Sequence, residues 1–415
     1  MDVKITPFDF KGTVEAPASK SYMHRLLICS MLADKPTEIE CNSICNDVEA
    51  TIDCIKALDC KVEKENNIFN VIPSVNFCKN PVLDCKESGS TLRFLLPVAT
   101  AVFENVTFKG EGRLPKRPLR SLCHSLENNG VSFKFTGKDN LPCITKGYLN
   151  GGNFEVDAGI SSQFVSGILM ALGKLSGSVS LVNNVVSAPY IEITIDIMSK
   201  FGVFVERMPN GYSIKKSGYI SPGKIKCEGD WSNGAFWLAG GVINSKEGLT
   251  VCGLDDKSKQ GDKKIVDILK QMGGDISICE NNYIVKKSDL VGIEIDASDI
   301  PDLVPILSVA ASYAKGKTVI KNISRLRDKE SDRVLSVFEM IKSMGGNISY
   351  DENNIYINGA GLRGGQIKSF NDHRIAMSAA IGGAASENAV VISDAEAVNK
   401  SYPEFFKRLN MLKGK

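Results

Sequence analysis

Polar and apolar positions repeat one arrangement five times along this chain: the apolar stripe of a helix, a break, then a short β-branched or alternating run. The copies are residues 54–63 (CIKALDCKVE), 125–134 (SLENNGVSFK), 197–206 (IMSKFGVFVE), 268–277 (ILKQMGGDIS) and 338–350 (FEMIKSMGGNISY). Their breaks fall at Asp59, Gly130, Gly202, Gly273 and Gly345, which are 71, 72, 71 and 72 residues apart. Glycine after a helix takes the left-handed conformation without a Cβ penalty. The Val and Ile alternation that follows suits a half-buried strand. Helix, glycine and strand follow one another in every α/β protein, but a constant step of this size is not common to them, and it is too long for a solenoid repeat. A last amphipathic stretch at 403–413 (PEFFKRLNMLK) comes about one period later and closes a sixth copy. The pattern therefore predicts six modules containing β and α elements, three in each of two domains.

Length supports the same division, because a chain of 415 residues exceeds what one hydrophobic core organises. Two stretches look like crossings between domains: 217–223 (SGYISPG), rich in Gly, Pro and Ser, and 11–18 (KGTVEAPA). Two crossings assign the first strand to the C-terminal half, giving expected domains of 13–226 and of 1–12 with 227–415. The boundary between such halves is where a ligand is expected to bind.

Composition narrows the chemistry. Hydrophobic residues are 43% and charged residues 24%, which excludes a disordered chain. Fifty Lys and Arg against 48 Asp and Glu leave a net charge of +2, which argues against a broad nucleic-acid face or a polybasic membrane surface. The longest nearly apolar run, 303–314, is too short to span a bilayer. Twelve cysteines include no CxxC pair, and the three histidines, His24, His124 and His373, are far apart. Neither a metal site, a disulfide framework nor a secretory signal is expected. The expected setting is a reducing cytoplasm.

Candidate chemistry gathers before apolar helices. Residues 16–25 (APASKSYMHR) place Ser19 or Ser21 as a cap beside Lys20 and Arg25, an anion-binding arrangement. Residues 87–93 (ESGSTLR) surround Gly89 with hydroxyls, and 110–120 (GEGRLPKRPLR) set Arg113, Lys116, Arg117 and Arg120 on a Pro-stiffened loop. Residues 159–164 (GISSQF) and 187–190 (SAPY) offer uncharged donors. In the C-terminal half, 325–333 (RLRDKESDR) bring Lys329, Glu330 and Arg333 within one helical turn. Asn371-Asp-His-Arg374 opens a small-residue helix, and Lys400-Ser-Tyr-Pro403 repeats that layout. Asp302 heads an apolar helix, where the macrodipole favours its ionised form. Each segment alone reads first as a cap or a solvated charge run. Together, Lys20, Arg25, Arg117, Arg333, Arg374 and Lys400 at helix starts describe a site for multiply charged anions, with Asp302 and Glu330 among them. Burying so many cations is tolerable only if ligands neutralise them.

In series, APASKSYMHRLL, ESGSTLRFLLP, LPKRPL, SSQF, SAPYIEIT, IPDLVPI, RDKESDR, NDHRIAM and KSYPEF resemble the EPSP synthases, the 3-phosphoshikimate 1-carboxyvinyltransferases of the shikimate pathway. The resemblance runs from Lys20 to Phe406. It implies an α/β fold of two similar domains, each of three βαβαββ units, with the active site in the interdomain cleft. It implies transfer of the enolpyruvyl group of phosphoenolpyruvate to the 5-hydroxyl of shikimate 3-phosphate by a monomer that needs no cofactor. Lys20, Ser21, Arg25, Ser161, Ser162, Gln163, Ser187, Tyr190, Asp302 and Lys329 would bind shikimate 3-phosphate. Lys20, Gly89, Arg117, Gln163, Arg333, Arg374 and Lys400 would hold phosphoenolpyruvate, where the herbicide glyphosate competes. Asp302 would accept the hydroxyl proton, Glu330 would donate to the methylene carbon, and Lys20 would act with them. Glu87, Ala188 and Arg325 depart from the residues commonest in the family at those places.

Two rivals differ in their predictions. The UDP-N-acetylglucosamine enolpyruvyl transferases share the fold but carry a reactive Cys in the loop matching 110–120, which has none here. A non-catalytic anion-binding or RNA-binding repeat protein would carry an aromatic and basic face, but aromatics are only 7% of this chain.

Overall fold

A computed structural model describes residues 1–74, 80–216, 218–280 and 282–413; Cys78, and Ser217 at the head of the expected second crossing, lie outside them. The backbone divides into two compact units, Ala18–Cys227 and Met1–Pro17 with Glu228–Lys415.

All five breaks are left-handed, with φ of +64° at Asp59, +103° at Gly130, +75° at Gly202, +94° at Gly273 and +78° at Gly345. The hydrogen bonding repeats with them. Gly273 N–H donates to Lys270 O at 2.9 Å and Gly274 N–H to Leu269 O at 2.8 Å; Gly345 to Lys342 and Gly346 to Ile341 do the same at 2.9 and 2.8 Å. Such pairs satisfy the last carbonyls of a helix and turn the chain out of it. The helices so ended are Asn46–Ala57, Arg120–Glu127, Pro189–Lys200, Ile265–Gln271 and Arg333–Ser343. The strands that follow are Lys61–Glu65, Ser132–Phe135, Glu206–Met208, Asp275–Cys279 and Asn347–Tyr350.

Three modules are continuous in sequence. One orders its strands Val82–Asp84, Asn105–Lys109, Cys143–Lys146, Ser132–Phe135; another Gly152–Asp157, Gly177–Val182, Gly211–Ile214, Glu206–Met208; the third Glu294–Asp296, Lys317–Lys321, Asn354–Asn358, Asn347–Tyr350. In each, the first pair is parallel and the rest antiparallel, with helices in the crossovers. That is a βαβαββ unit.

Two further modules take their first strand from the far end of their own unit. Gly12–Glu15 runs parallel to Leu249–Cys252, and Lys224–Lys226 parallel to Thr37–Glu40. This pairing corrects the expected boundaries. A break after residue 12 would strip Gly12–Glu15 from its ladder, so the first crossing follows Pro17. Cys227 donates its N–H to Glu40 O at 2.8 Å and stays with the N-terminal unit. The sixth copy differs too: Gly365–Lys368 and Val390–Ser393 are parallel, and Val3–Ile5 pairs antiparallel on the other side in place of a hairpin.

Each unit has its own core, built on three helices that are buried nearly all round. They are Lys20–Leu32, Gly89–Thr100 and Ser162–Leu175 in one unit, and Trp231–Asn244, Val304–Ser312 and His373–Ala385 in the other. Helices without a polar face belong inside. Phe94, Phe108 and Phe164, and separately Trp231, Trp237 and Phe236, fill the space around them. Gly167 lets two of these helices touch, since a Cβ there would stand 2.3 Å from Arg93 O. Of the charged side chains in these six central helices, Lys20, Arg25, Arg93 and Arg374 stand in the first two turns. Among the described residues no helix is long and apolar enough to cross a membrane.

Candidate active site

Five of the six central helices start at a segment singled out above. In the N-terminal unit, hydroxyls cap all three: Ser19 Oγ accepts from Tyr22 N–H at 3.4 Å, Ser88 Oγ from Thr91 N–H at 3.2 Å, and Ser161 Oγ from Gln163 N–H at 3.3 Å. Each cap satisfies one amide and leaves the positive end of the helix for an anion. Lys20 stands at the first of these ends, with Nζ 2.9 Å from Asp47 Oδ2 and both side chains about 15% exposed. Arg25, one turn on, is buried. Its Nε donates to Thr194 Oγ1 at 2.6 Å, Nη1 to Ser21 O at 2.8 Å and Nη2 to Tyr190 O at 2.9 Å, while the guanidinium lies 4.6 Å from the centre of the Phe94 ring. Burial pushes its pKa down to about 10, so it stays charged at neutral pH. Those acceptors are neutral, and its charge remains available to an anion.

The other two helix starts are linked. Arg93 Nη1 donates to Gln163 Oε1 at 2.7 Å and Nη2 to Pro118 O at 3.0 Å, and Gln163 Nε2 donates to Ser90 Oγ at 2.9 Å. Arg117 lies against Gly89, where a Cβ would stand 2.6 Å from Nη1. Its Nε is buried and has no hydrogen-bond partner among the described residues. Ser161, Ser162 and Ser187 are buried, and Ser187 adopts a left-handed φ of +53° as its carbonyl accepts from Tyr190 N–H at 3.1 Å.

The C-terminal unit gathers the charges around Arg333, which is 1% exposed. Its Nη1 donates to Asp302 Oδ1 at 2.6 Å, Nη2 to Glu330 Oε2 at 2.7 Å, and Nε to Asp372 Oδ2 at 2.8 Å. Burial works against this cation, but Asp372, Glu330 and Asp302 raise its pKa well above the usual arginine value. Asp302 also meets Lys329 Nζ at 3.6 Å and Arg374 Nη2 at 3.4 Å. Burial lowers the Lys329 pKa to about 8, against the pull of Asp302. Asp372 both caps the helix of Arg374, accepting from its N–H at 2.9 Å, and takes the Ser331 hydroxyl at 3.0 Å. Arg374 is buried, and its Nε and Nη1 have no hydrogen-bond partner among the described residues. Lys400 Nζ donates to Asn371 O at 2.8 Å, beside the same cap.

The structure thus brings together Asp302, Lys329, Glu330, Arg333 and Arg374, while Gly89, Arg117 and Gln163 adjoin one another in the other unit. It corrects the local setting of several predicted residues. Residues 325–333 do not form one helical turn: a 3-10 turn, Ser324–Asp328, ends at Lys329, and Asp332 caps a new helix that begins at Arg333. Lys400 ends a 3-10 turn, Ala395–Lys400, and Arg117 follows another, Leu114–Lys116, so neither starts a helix. Ser187 turns the chain rather than capping Pro189–Lys200, which has no side-chain cap.

Sequence reasoning missed three residues. Asp47 is the partner of Lys20, and its place in the first turn of Asn46–Ala57 was the available signal. Asp372 was visible inside NDHR but without a role. Asp262 is 2% exposed, accepts the Ser232 hydroxyl, and has a pKa raised to about 7 by burial and by the negative charge of Asp302. Nothing in GDKK marks it as buried. Among the described residues no group of three or more His, Cys, Asp or Glu is arranged to hold a metal.

Comparison with known proteins gives a consistent picture. The family described as EPSP synthase (3-phosphoshikimate 1-carboxyvinyltransferase) matches residues 5–409. The 3-phosphoshikimate 1-carboxyvinyltransferase of Clostridium acetobutylicum is 39% identical over 420 aligned positions, covering 99% of this chain and 97% of the relative. The enzyme of that name from Pyrococcus abyssi is 37% identical, covering 96% of this chain and 94% of the relative. A solved EPSP synthase from Acinetobacter baumannii superposes with a TM-score of 0.84 at 26% identity, over 99% of this chain and 98% of the other. The enolpyruvyl transferase NikO from Streptomyces tendae, at 16% identity and a TM-score of 0.81 over 99% and 96%, shares the fold.

Proposed function

The chain belongs to the EPSP synthase family, and on that premise we propose that it transfers the enolpyruvyl group of phosphoenolpyruvate to the 5-hydroxyl of shikimate 3-phosphate, releasing phosphate on the route to chorismate and the aromatic amino acids. What carries the reading is the Arg333 cluster, two candidate acid–base carboxyls held among three cations, in a chain whose whole length follows the family.

The reaction adds an alcohol to C2 of an enol ester and needs a proton at C3, so a base and an acid must act on different atoms. Asp302 takes the proton of the 5-hydroxyl, with Lys329 beside it to hold the substrate and the developing charge. Glu330 donates to the methylene carbon and takes a proton back when phosphate leaves. Lys20 touches both substrates and shares this acid–base work. The tetrahedral intermediate keeps a carboxylate and a phosphate, which fixed cations stabilise. Arg374, with two donors unused by the described residues, and Arg117, with one, are suited to these anions alongside Arg333, Lys400, Gln163 and the Gly89 amide. Arg25, Ser21, Ser161, Ser162, Ser187, Gln163 and Tyr190 bind shikimate 3-phosphate. Arg333 is bound to three carboxylates, so an anion held beside it competes with Asp302 and Glu330 for its donors. The protein works as a monomer in the cytoplasm, a setting that suits thiols which, among the described residues, are mostly buried and not joined in disulfides.

A phosphate-release assay tests the reaction. Phosphate should appear with phosphoenolpyruvate and shikimate 3-phosphate together, and not when UDP-N-acetylglucosamine is the acceptor. Release with the nucleotide sugar alone would replace this reading by its rival.

A further inference from the structure

The reaction leaves the cysteines unused, and two of them face each other. Cys41 follows strand Thr37–Glu40, and Cys227 follows strand Lys224–Lys226; the last register pair of this parallel ladder is Glu40 with Lys226. Cys227 N–H continues the ladder to Glu40 O at 2.8 Å, so the two cysteines are the next pair along it. Neighbouring strands lie about 4.8 Å apart, inside the Cα range of roughly 4.4–6.8 Å that a disulfide spans. Cys41 is 3% and Cys227 5% exposed.

Both thiols also hold the segment that carries Lys20. Cys227 Sγ donates to Ser19 O at 3.5 Å, and Cys41 Sγ to Ser43 O at 2.9 Å; Ser43 Oγ in turn accepts from Ala18 N–H at 3.0 Å. Ser19 caps helix Lys20–Leu32. The chain enters this unit at Ala18 and leaves it at Cys227, so the pair stands where entry and exit run side by side.

We propose that Cys41 and Cys227 form a reversible dithiol–disulfide site, oxidised by hydroperoxides, and that its oxidation loosens the turn bearing Ser19, Lys20 and Ser21. Cys41 is the attacking sulfur: the neighbouring Cys227 lowers its pKa, although burial opposes this. Its thiolate attacks the peroxide, the O–O bond breaks, and water or an alcohol leaves as Cys41 becomes a sulfenic acid. Cys227 then attacks that sulfur, the S–S bond forms, the S–O bond breaks, and hydroxide leaves with the Cys227 proton as water. Two thiols and one hydroperoxide give one disulfide, one water and one water or alcohol. The thiol hydrogen bonds to Ser19 O and Ser43 O disappear with the thiol protons. Binding of shikimate 3-phosphate should weaken because Lys20 belongs to that turn, a consequence that rests on the reaction proposed above.

The test treats the full chain with hydrogen peroxide, blocks remaining thiols and maps peptides without reduction. A 41–227 linkage is expected, with faster amide exchange at residues 18–22 and about fivefold weaker binding of shikimate 3-phosphate, the factor one lost neutral hydrogen bond is worth. Dithiothreitol should reverse all three. Cys227→Ser keeps a hydroxyl donor to Ser19 O and should hold its affinity through the same treatment, as should Cys41→Ser. No 41–227 linkage, or a linkage that leaves exchange at 18–22 unchanged, overturns the proposal. The exchange readout needs no substrate, so a failure of the reaction reading would show separately, as absent binding before oxidation.

Discussion

Arg333 shows how one side chain fixes the chemistry open to its neighbours. Three carboxylates share a guanidinium that water barely reaches, so removing one of them leaves two. Asp302→Asn and Glu330→Gln should therefore fold and bind substrate while losing turnover by on the order of 10²–10⁴; unchanged turnover in both would remove the acid–base assignment. Burial brings the Lys329 pKa down to about 8, and above that pH one of the three cations around Asp302 is lost. An alkaline limb in kcat/KM for shikimate 3-phosphate should appear near pH 8 and move upward in Lys329→Arg. Asp262 has the opposite sign. Its folded pKa of about 7 lies above the ordinary 3.8, so the folded chain binds an extra proton between them and stability falls as pH rises through that window. Asp262→Asn should flatten that fall in chemical unfolding and stabilise the chain at neutral pH, by on the order of a few kcal/mol. The candidate residues were legible because they stand in compact motifs, several of them at helix starts. Asp262 was not, because its burial comes from distant elements.

At the scale of elements, the left-handed breaks are the most regular feature and were the most readable. A glycine, or once an aspartate, after an apolar stripe is a local signal with a local cause. Replacing one should cost according to what a Cβ would meet. Gly273→Ala meets only Asp289 O at 3.2 Å and should lose about 1–2 kcal/mol from backbone strain. Gly130→Ala meets the Tyr148 carbonyl at 2.8 Å as well as the Asn150 amide, and should lose more. Equal unfolding midpoints for the two variants would sink that ranking. Gly89 belongs to another class, because its neighbour is the far end of the flexible Arg117. Gly89→Ala should leave stability within about 0.5 kcal/mol yet raise KM for phosphoenolpyruvate by displacing that guanidinium. The ends of Ser324–Asp328 and Ala395–Lys400 were misread, since a 3-10 turn carries no periodicity long enough to identify it.

At the scale of the molecule, the repeat step predicted the modules, but the strand exchange was only half visible. The sequence placed the first strand with the C-terminal half, yet not Gly12–Glu15, because that pairing spans more than 230 residues and leaves no local trace. The unit Ala18–Cys227 contains every strand of its three sheets, whereas Glu228–Lys415 lacks both Val3–Ile5 and Gly12–Glu15. A fragment of residues 18–227 should unfold cooperatively on its own, and one of 228–415 should not unless 1–17 is supplied; cooperative melting of 228–415 alone would contradict this.

That same pairing orders events during synthesis. At roughly 5–20 residues per second, Gly12–Glu15 leaves the ribosome some ten to fifty seconds before Leu249–Cys252 exists to receive it. The nascent chain must keep an edge strand unclaimed while a whole neighbouring unit is translated. Glu15 and Lys11 at its ends, and the Pro17 that follows, are the kinds of residue that discourage premature partners.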